Sequence, residues 1–246
     1  MKRFAIFIIL GLALALSACS NISINLGNTV RGSGNMSSET RPVSGFTQIS
    51  IDGSGDAQIT QGDTESLKIE AEDNILPLVT SEVVGGKLVL GLKPMTSIST
   101  TRTIHYTITV KDLSALALNG SGNVSAGALK STSMALNLNG SGDISLASLE
   151  GSSLSVSGNG SGNFSINAGK IDNQSIQLFG SGSIQAANLE SQTASVTIAG
   201  SGSASLWVKG SLNVSIGGSG NVDYYGAPTV TQAVAGSGRI NGRGSK

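Results

Sequence analysis

From residue 116 onward the chain alternates apolar and polar positions in short bursts, and each burst straddles a Gly-Ser-Gly triplet. Four residues before the first glycine of successive triplets stand Leu116, Leu136, Val156, Ile176, Val196 and Val214. Two before it stand Leu118, Leu138, Leu178, Ile198, Ile216 and Val234, with Gly158 the exception. Four after it come Val124, Ile144, Phe164, Ile184, Ala204, Val222 and Ile240, and six after it Leu146, Ile166, Leu206 and Tyr224 alternate with Ala126 and Ala186. The positions between are mostly Ser, Thr, Asn, Gln and Ala. Period-two alternation on both sides of a glycine turn is the pattern of strands with one buried face. The triplet serines are Ser121, Ser141, Ser161, Ser181, Ser201, Ser219 and Ser237, an even step that shortens slightly over the last two intervals. A period of roughly 20 residues suits one coil of a solenoid and is too short for most helical-pair repeats. The pattern therefore predicts an all-β chain folded as a right-handed parallel β-helix, or β-solenoid, of about 18–20 residues per coil. With coils ~4.8 Å apart, the array makes a rod section about 30–35 Å long. Glycine turns each corner, since it tolerates positive φ and close backbone approach, and stacked serines are expected to link the coils by hydrogen bonds.

The N-terminal part is less regular. Segments 88–92 and 104–110 read as strands flanking a loop with Pro94 and several serines, and 73–79 as a turn or short helix limited by Pro77. Two further triplets, around Ser33 and Ser54, precede the array. Acidic residues gather here at Asp63, Glu65, Glu70, Glu72 and Asp73, which suits a solvated cap. Before this lies a basic start, Lys2-Arg3, an apolar run from Phe4 to Leu16, and Leu16-Ser-Ala-Cys19. The run is the length of a signal-peptide core and short of the ~20 residues that span a bilayer. The tetrapeptide resembles the bacterial lipobox, which implies cleavage before Cys19 and a lipid on its thiol. Ser20 rather than Asp in the next position favours, by that resemblance, the outer membrane. Cys19 is the sole cysteine, so the chain can form no internal disulfide. The expected organisation is signal peptide 1–18, tether 19–40, irregular β section 41–115 and regular array 116–246.

Several stretches together identify a family. Arg41-Pro-Val-Ser-Gly-Phe-Thr-Gln-Ile leads to Ile51-Asp-Gly-Ser-Gly-Asp-Ala-Gln-Ile, then to Leu67-Lys-Ile-Glu-Ala-Glu-Asp-Asn-Ile-Leu76. Near the end stand Gly218-Ser-Gly-Asn-Val-Asp-Tyr-Tyr-Gly-Ala-Pro228 and Val234-Ala-Gly-Ser-Gly-Arg-Ile240. From about residue 41 to 240 the chain resembles the bacterial auto-transporter adhesin, head GIN domain family. The resemblance implies a β-helical fold and an envelope location. It brings no catalytic residue and no established activity.

Composition narrows the function classes. Formal net charge is zero, which leaves no electrostatic footprint for nucleic acid. Charged residues are 12% of the chain, against roughly 25% in ordinary domains, so long uncharged faces are expected. The one histidine, His105, falls on the outward side of its strand, and no serine stands in Gly-x-Ser-x-Gly. No His or Cys cluster suits zinc, and Asp follows the triplet only at Asp56 and Asp143, too seldom for a calcium ladder. The acids of the array, Asp143, Glu150, Asp172, Glu190 and Asp223, are scattered; Glu150 and Glu190 share a register two coils apart, about 9–10 Å. The expectation is a non-enzyme without cofactor or metal, the alternative a polysaccharide-active β-helix enzyme.

Two outward columns are candidate contact surfaces. Seven residues after the first glycine stand Gly127, Ala147, Asn167, Ala187, Trp207, Tyr225 and Arg243. Trp207, Tyr225 and Arg243 form the candidate contact patch, open to a sugar ring or a protein unless a C-terminal segment covers them. The second column, Asn137, Ser157, Gln177, Thr197 and Ser215, is flat and uncharged. The function expected is a lipid-anchored envelope protein presenting a rigid rod for adhesion, with a glycan or envelope protein as partner, or else a structural or signalling envelope component. Sequence leaves the oligomeric state open.

Overall fold

The computed structural model describes residues 29–246. Strands dominate these residues, and among them the one helical element is a 3-10 turn, Leu76–Leu78, with its proline in the first turn where no amide is needed. The predicted β-solenoid is present. Strands of successive coils pair in parallel with an offset of one repeat: Leu116 lies beside Leu136, Val156 beside Ile176, Val196 beside Val214. The alternating apolar positions point inward and stack into one continuous core. Alternation breaks around the Gly-Ser-Gly triplet, at 127–128 and at 130–133, so each coil turns three corners.

The triplets stack in register from Gly53 through Gly120, Gly140, Gly160, Gly180, Gly200 and Gly218 to Gly236. Each of these first glycines has φ between 127° and 155°. Their carbonyls take the next coil's amides: Gly140 O accepts from Ser161 N at 3.0 Å and from Gly162 N at 3.2 Å. The corner is therefore bonded through backbone. The triplet serines, expected to carry the links, stand exposed instead. Side-chain links do form one residue before and one after the triplet. Asn159 donates to Asn139 at 2.9 Å, Asn139 to Asn119 at 2.8 Å, and Asn119 to Asp52 at 2.7 Å. On the other side Asn163 donates to Asp143 at 2.9 Å and Ser183 to Asn163 at 2.7 Å.

The coils are not stacked in chain order. Strands Gln48–Gly53 and Asp56–Gln61 make one coil, and Ala115–Gly120 with the start of Asn123–Gly140 pairs on one side of it. On its other side lie Lys87–Leu92 and His105–Val110, which come later in sequence. The chain thus lays the second coil, drops back to lay the first, then climbs to the third. Antiparallel strands close that end: Val79–Val84 covers Lys87–Leu92, and Ser66–Glu72 covers His105–Val110. This removes the open parallel edge a solenoid would otherwise present.

The segment expected to be tether through residue 40 is structured from Thr29. Thr29–Arg31 pairs with Ser97–Ser99, and Met36–Arg41 adds antiparallel to Ser66–Glu72. The triplet at Ser33 is not a solenoid corner; it wraps the buried carboxylate of Glu72. Glu72 accepts from the Gly34 amide at 2.7 Å, the Thr101 hydroxyl at 2.6 Å and the Thr101 amide at 3.1 Å. The Thr101 hydroxyl first, and the surrounding amides with it, outweigh burial and hold this carboxyl below its usual range. A depressed folded-state pKa stabilises the fold above the unfolded-state value and loses that contribution as pH falls through the folded value. Glu72→Gln is thus expected to flatten the fall in urea midpoint between about pH 5 and pH 3, and an unchanged slope would remove Glu72 from the account. Three of the other four acids of the cluster are also engaged. Glu65 accepts the Gly45 and Phe46 amides, Glu70 pairs with Lys68 at 2.9 Å, and Asp73 takes the Ser33 hydroxyl.

Among the inward positions, Val234 is apolar but exposed, and Gln174 is buried but polar. Val234 lies in the last coil, with no described coil above it, and is 43% exposed. Gln174 stands between Leu154 and Ala194 in the core, only 3% exposed, and neither atom of its amide has a hydrogen-bond partner in the protein. An unpaired buried amide costs about 1–3 kcal/mol. Gln174→Leu is expected to stabilise the protein by roughly that amount, raising the urea midpoint; a lowered midpoint would mean the amide is satisfied.

Candidate contact site

The candidate patch sits where the repeat shortens. Strand Ser183–Gly200 and the strand above it, Ser203–Gly218, keep step as far as Ala186 and Leu206. The upper coil is then shorter, so Glu190 rather than Ala187 lies beside Trp207, and residues 187–189 bulge without a partner above. This corrects the expected column, in which Ala187 precedes Trp207. A second shift follows between Ser191 and Thr193, and Trp207 pairs on its other side with Tyr225 of the next coil. Both rings are half-buried. The Ser191 hydroxyl, fully buried, donates to Trp207 O at 3.0 Å and fixes the strand at this point.

Arg243 follows in the same column, its amide bonded to Tyr224 O at 2.8 Å. Its guanidinium turns to Asp223, with Nε and Nη2 within 3.1 Å of the carboxylate, so it borders the aromatics as half of an ion pair. That pairing holds the Asp223 carboxyl below its ordinary range and raises Arg243 further. The tail then crosses the rings. The Lys246 ammonium lies 5.5 Å from the Trp207 ring centre and 5.2 Å from that of Tyr225, and it donates to Ala187 O and Asn188 Oδ1 on the bulge. The covering segment weighed from sequence is thus present as three residues, 244–246. The bulge and the Lys246 contact were missed; the closer spacing of the last triplets, from Ser201 to Ser219 to Ser237, marked where a coil must lose its partner.

Glu150 and Glu190 do share a register, but Lys170 stands between them. The column runs Lys130, Glu150, Lys170, Glu190, with Lys209 reaching back to Glu190, and its ion pairs measure 3.3 to 3.5 Å. Burial would raise the Glu190 carboxyl, yet Lys170 and Lys209 outweigh it and hold it below its usual range. Alternating charges of this kind neutralise each other along the rod. His105 is exposed on its strand, flanked by Asp56 and Glu70. Asn137, Ser157, Gln177, Thr197 and Ser215 line up on consecutive coils as a flat outward column. Cys19 lies outside the described residues. No helix among the described residues is long and apolar enough to cross a membrane.

Parallel coils stacked on one continuous core define the class of this protein, a β-solenoid. Over residues 45–228 the chain matches the family described as "putative auto-transporter adhesin, head GIN domain", and it belongs to that family. No curated protein matches the chain in sequence. Among solved structures it is similar to a "putative adhesin" of Bacteroides fragilis, 23% identical, with a TM-score of 0.82 over 87% of this chain and 99% of that one. It is also similar to a "putative lipid binding protein" of Parabacteroides distasonis, 24% identical, TM-score 0.71, covering 87% of this chain and 99% of the other. A "putative adhesin" of Parabacteroides merdae is 22% identical with a TM-score of 0.69, covering 88% and 99%. At these identities the likeness shows the shared fold.

Proposed function

We propose that this protein is a lipid-anchored, non-catalytic contact module of the bacterial envelope, held by a lipid on Cys19 in the outer membrane. The observation that carries the reading is the outer surface. Coil after coil presents neutral hydrogen-bonding side chains on a stacked backbone, the column from Lys130 to Glu190 pairs its charges, and the aromatic pair Trp207–Tyr225 breaks the polar monotony. Such a surface binds a partner by repetition and one aromatic anchor rather than by chemistry at a single point. Membership in an adhesin-named family supports a surface or envelope setting. The ten chain steps from Cys19 to Thr29 reach at most ~35 Å, so a lipid there would keep the capped end of the rod near the membrane.

Three measurements test this. Cells fed labelled palmitate should label the natural chain and not Cys19→Ala. Protease applied to intact cells should degrade the rod, and purified rod should bind a glycan array or retain an envelope protein without releasing sugar products. Missing label would remove the anchor, full protection would remove adhesion, and product release would favour a polysaccharide-active enzyme.

A further inference from the structure

We infer that Trp207, Tyr225 and the 187–189 bulge form a receptor for a lysine side chain presented by an extended segment of a partner polypeptide, with the protein's own Lys246 occupying it in the free state. The inference rests on the contact role of this patch and gives its partner a chemistry.

Four features of the site select an alkylammonium. Two aromatic faces on adjacent coils have their centres 5.5 and 5.2 Å from the nitrogen, inside the ~6 Å over which ring quadrupoles attract a cation. Ala187 O and Asn188 Oδ1 both accept from it, and an ammonium offers three donors and no acceptor. The backbone oxygen of Ala187 faces it because the shortened upper coil leaves 187–189 with no strand to bond. Finally, the nearest guanidinium, that of Arg243, is held by Asp223 and does not compete for the rings. A neutral sugar could stack on the aromatics and donate its hydroxyls to both acceptors, but it carries no charge for the two ring quadrupoles to attract, whereas a lysine ammonium engages all four groups at once.

The occupant is easily displaced. Residues 244–246 have no strand partner, and their hold on the rod beyond the lysine is one backbone bond from Gly226 N to Gly244 O. An intramolecular lysine on so short a leash acts as a competitor at high effective concentration, so it weakens a partner without closing the site.

Trp207 is the single tryptophan of the chain and reports on the site directly. The probe is the acetylated, amidated tetrapeptide Arg-Gly-Ser-Lys, compared with the same peptide carrying norleucine in place of lysine. In full-length Lys246→Ala, the lysine peptide should change Trp207 emission saturably. The natural chain should need about tenfold more peptide for half-saturation, because its own lysine must first leave. The norleucine peptide should give no saturable change, and Asn188→Leu added to Lys246→Ala should weaken the response. Absence of a saturable change in Lys246→Ala, an equal response to norleucine, or equal half-saturation in the two proteins would each overturn the inference. None of those results bears on whether the rod binds envelope material, which the array and retention measurements read independently.

Discussion

Gly160→Ala is expected to destabilise the protein by about 3–5 kcal/mol. Gly160 has φ +127°, a backbone region that side chains with a Cβ scarcely enter, and that strain alone costs about 1–3 kcal/mol. A Cβ there would also stand 2.3 Å from Gly140 O, the atom that accepts two amides from this corner. Relieving the contact means lifting one coil off another, and the same coil spacing is shared by every strand in the stack. Thermal unfolding should fall by roughly 10 °C for a domain of this size. Ser161→Ala, at the exposed centre of the same triplet, is the control and should stay within about 0.5 kcal/mol of the natural chain. If the two substitutions cost the same, the corner is not held by its backbone.

That contrast bears on what the sequence disclosed. Triplet spacing and the inward columns from Leu116 to Val222 gave the coil, its period and its core, because a repeated geometry leaves a repeated residue pattern. The role of the triplet was half legible. Glycine's freedom of φ was foreseeable, but the serine hydroxyls were credited with bonds that the amides make. The coil order was not legible at all. Gln48–Gly53 pairs with Ala115–Gly120, far along the chain, across a segment whose own strands pair beneath it. Alternation tells which face of a strand is buried and is silent on which strand lies beside it. The tether was read too long for a related reason. Met36–Arg41, with Ser, Glu, Thr and Arg, is an exposed covering strand, and a strand without a buried face leaves no alternation to read. At the candidate site the register of Trp207 over Tyr225 was visible from period alone. The ammonium contact depended on a three-residue bulge, which arises between two coils of different length and belongs to neither sequence segment by itself.

The exception at Gly158 yields the second large effect. Every other coil of the regular array places Leu, Ile or Val two residues before the triplet, and Gly158 alone leaves that inward place empty. Its space is taken from across the corner by Phe164, which is fully buried and the largest side chain at its place in the regular array. A Cβ on Gly158 would lie 3.0 Å from the Phe164 ring and 3.0 Å from Leu178 Cδ2. Phe164→Ala should therefore cost about 3–5 kcal/mol, since it empties two positions at once and the coils above and below cannot collapse into a gap without breaking their ladder. Gly158→Leu alone should cost about 1–3 kcal/mol by overpacking against the ring. Made together, the leucine enters the volume the ring gave up and restores the arrangement of the neighbouring coils. The double variant should then be at least about 1 kcal/mol more stable than Phe164→Ala, a favourable coupling between residues in contact. Urea denaturation of the three variants decides it: additive losses would show that Phe164 does not fill the place of the missing side chain.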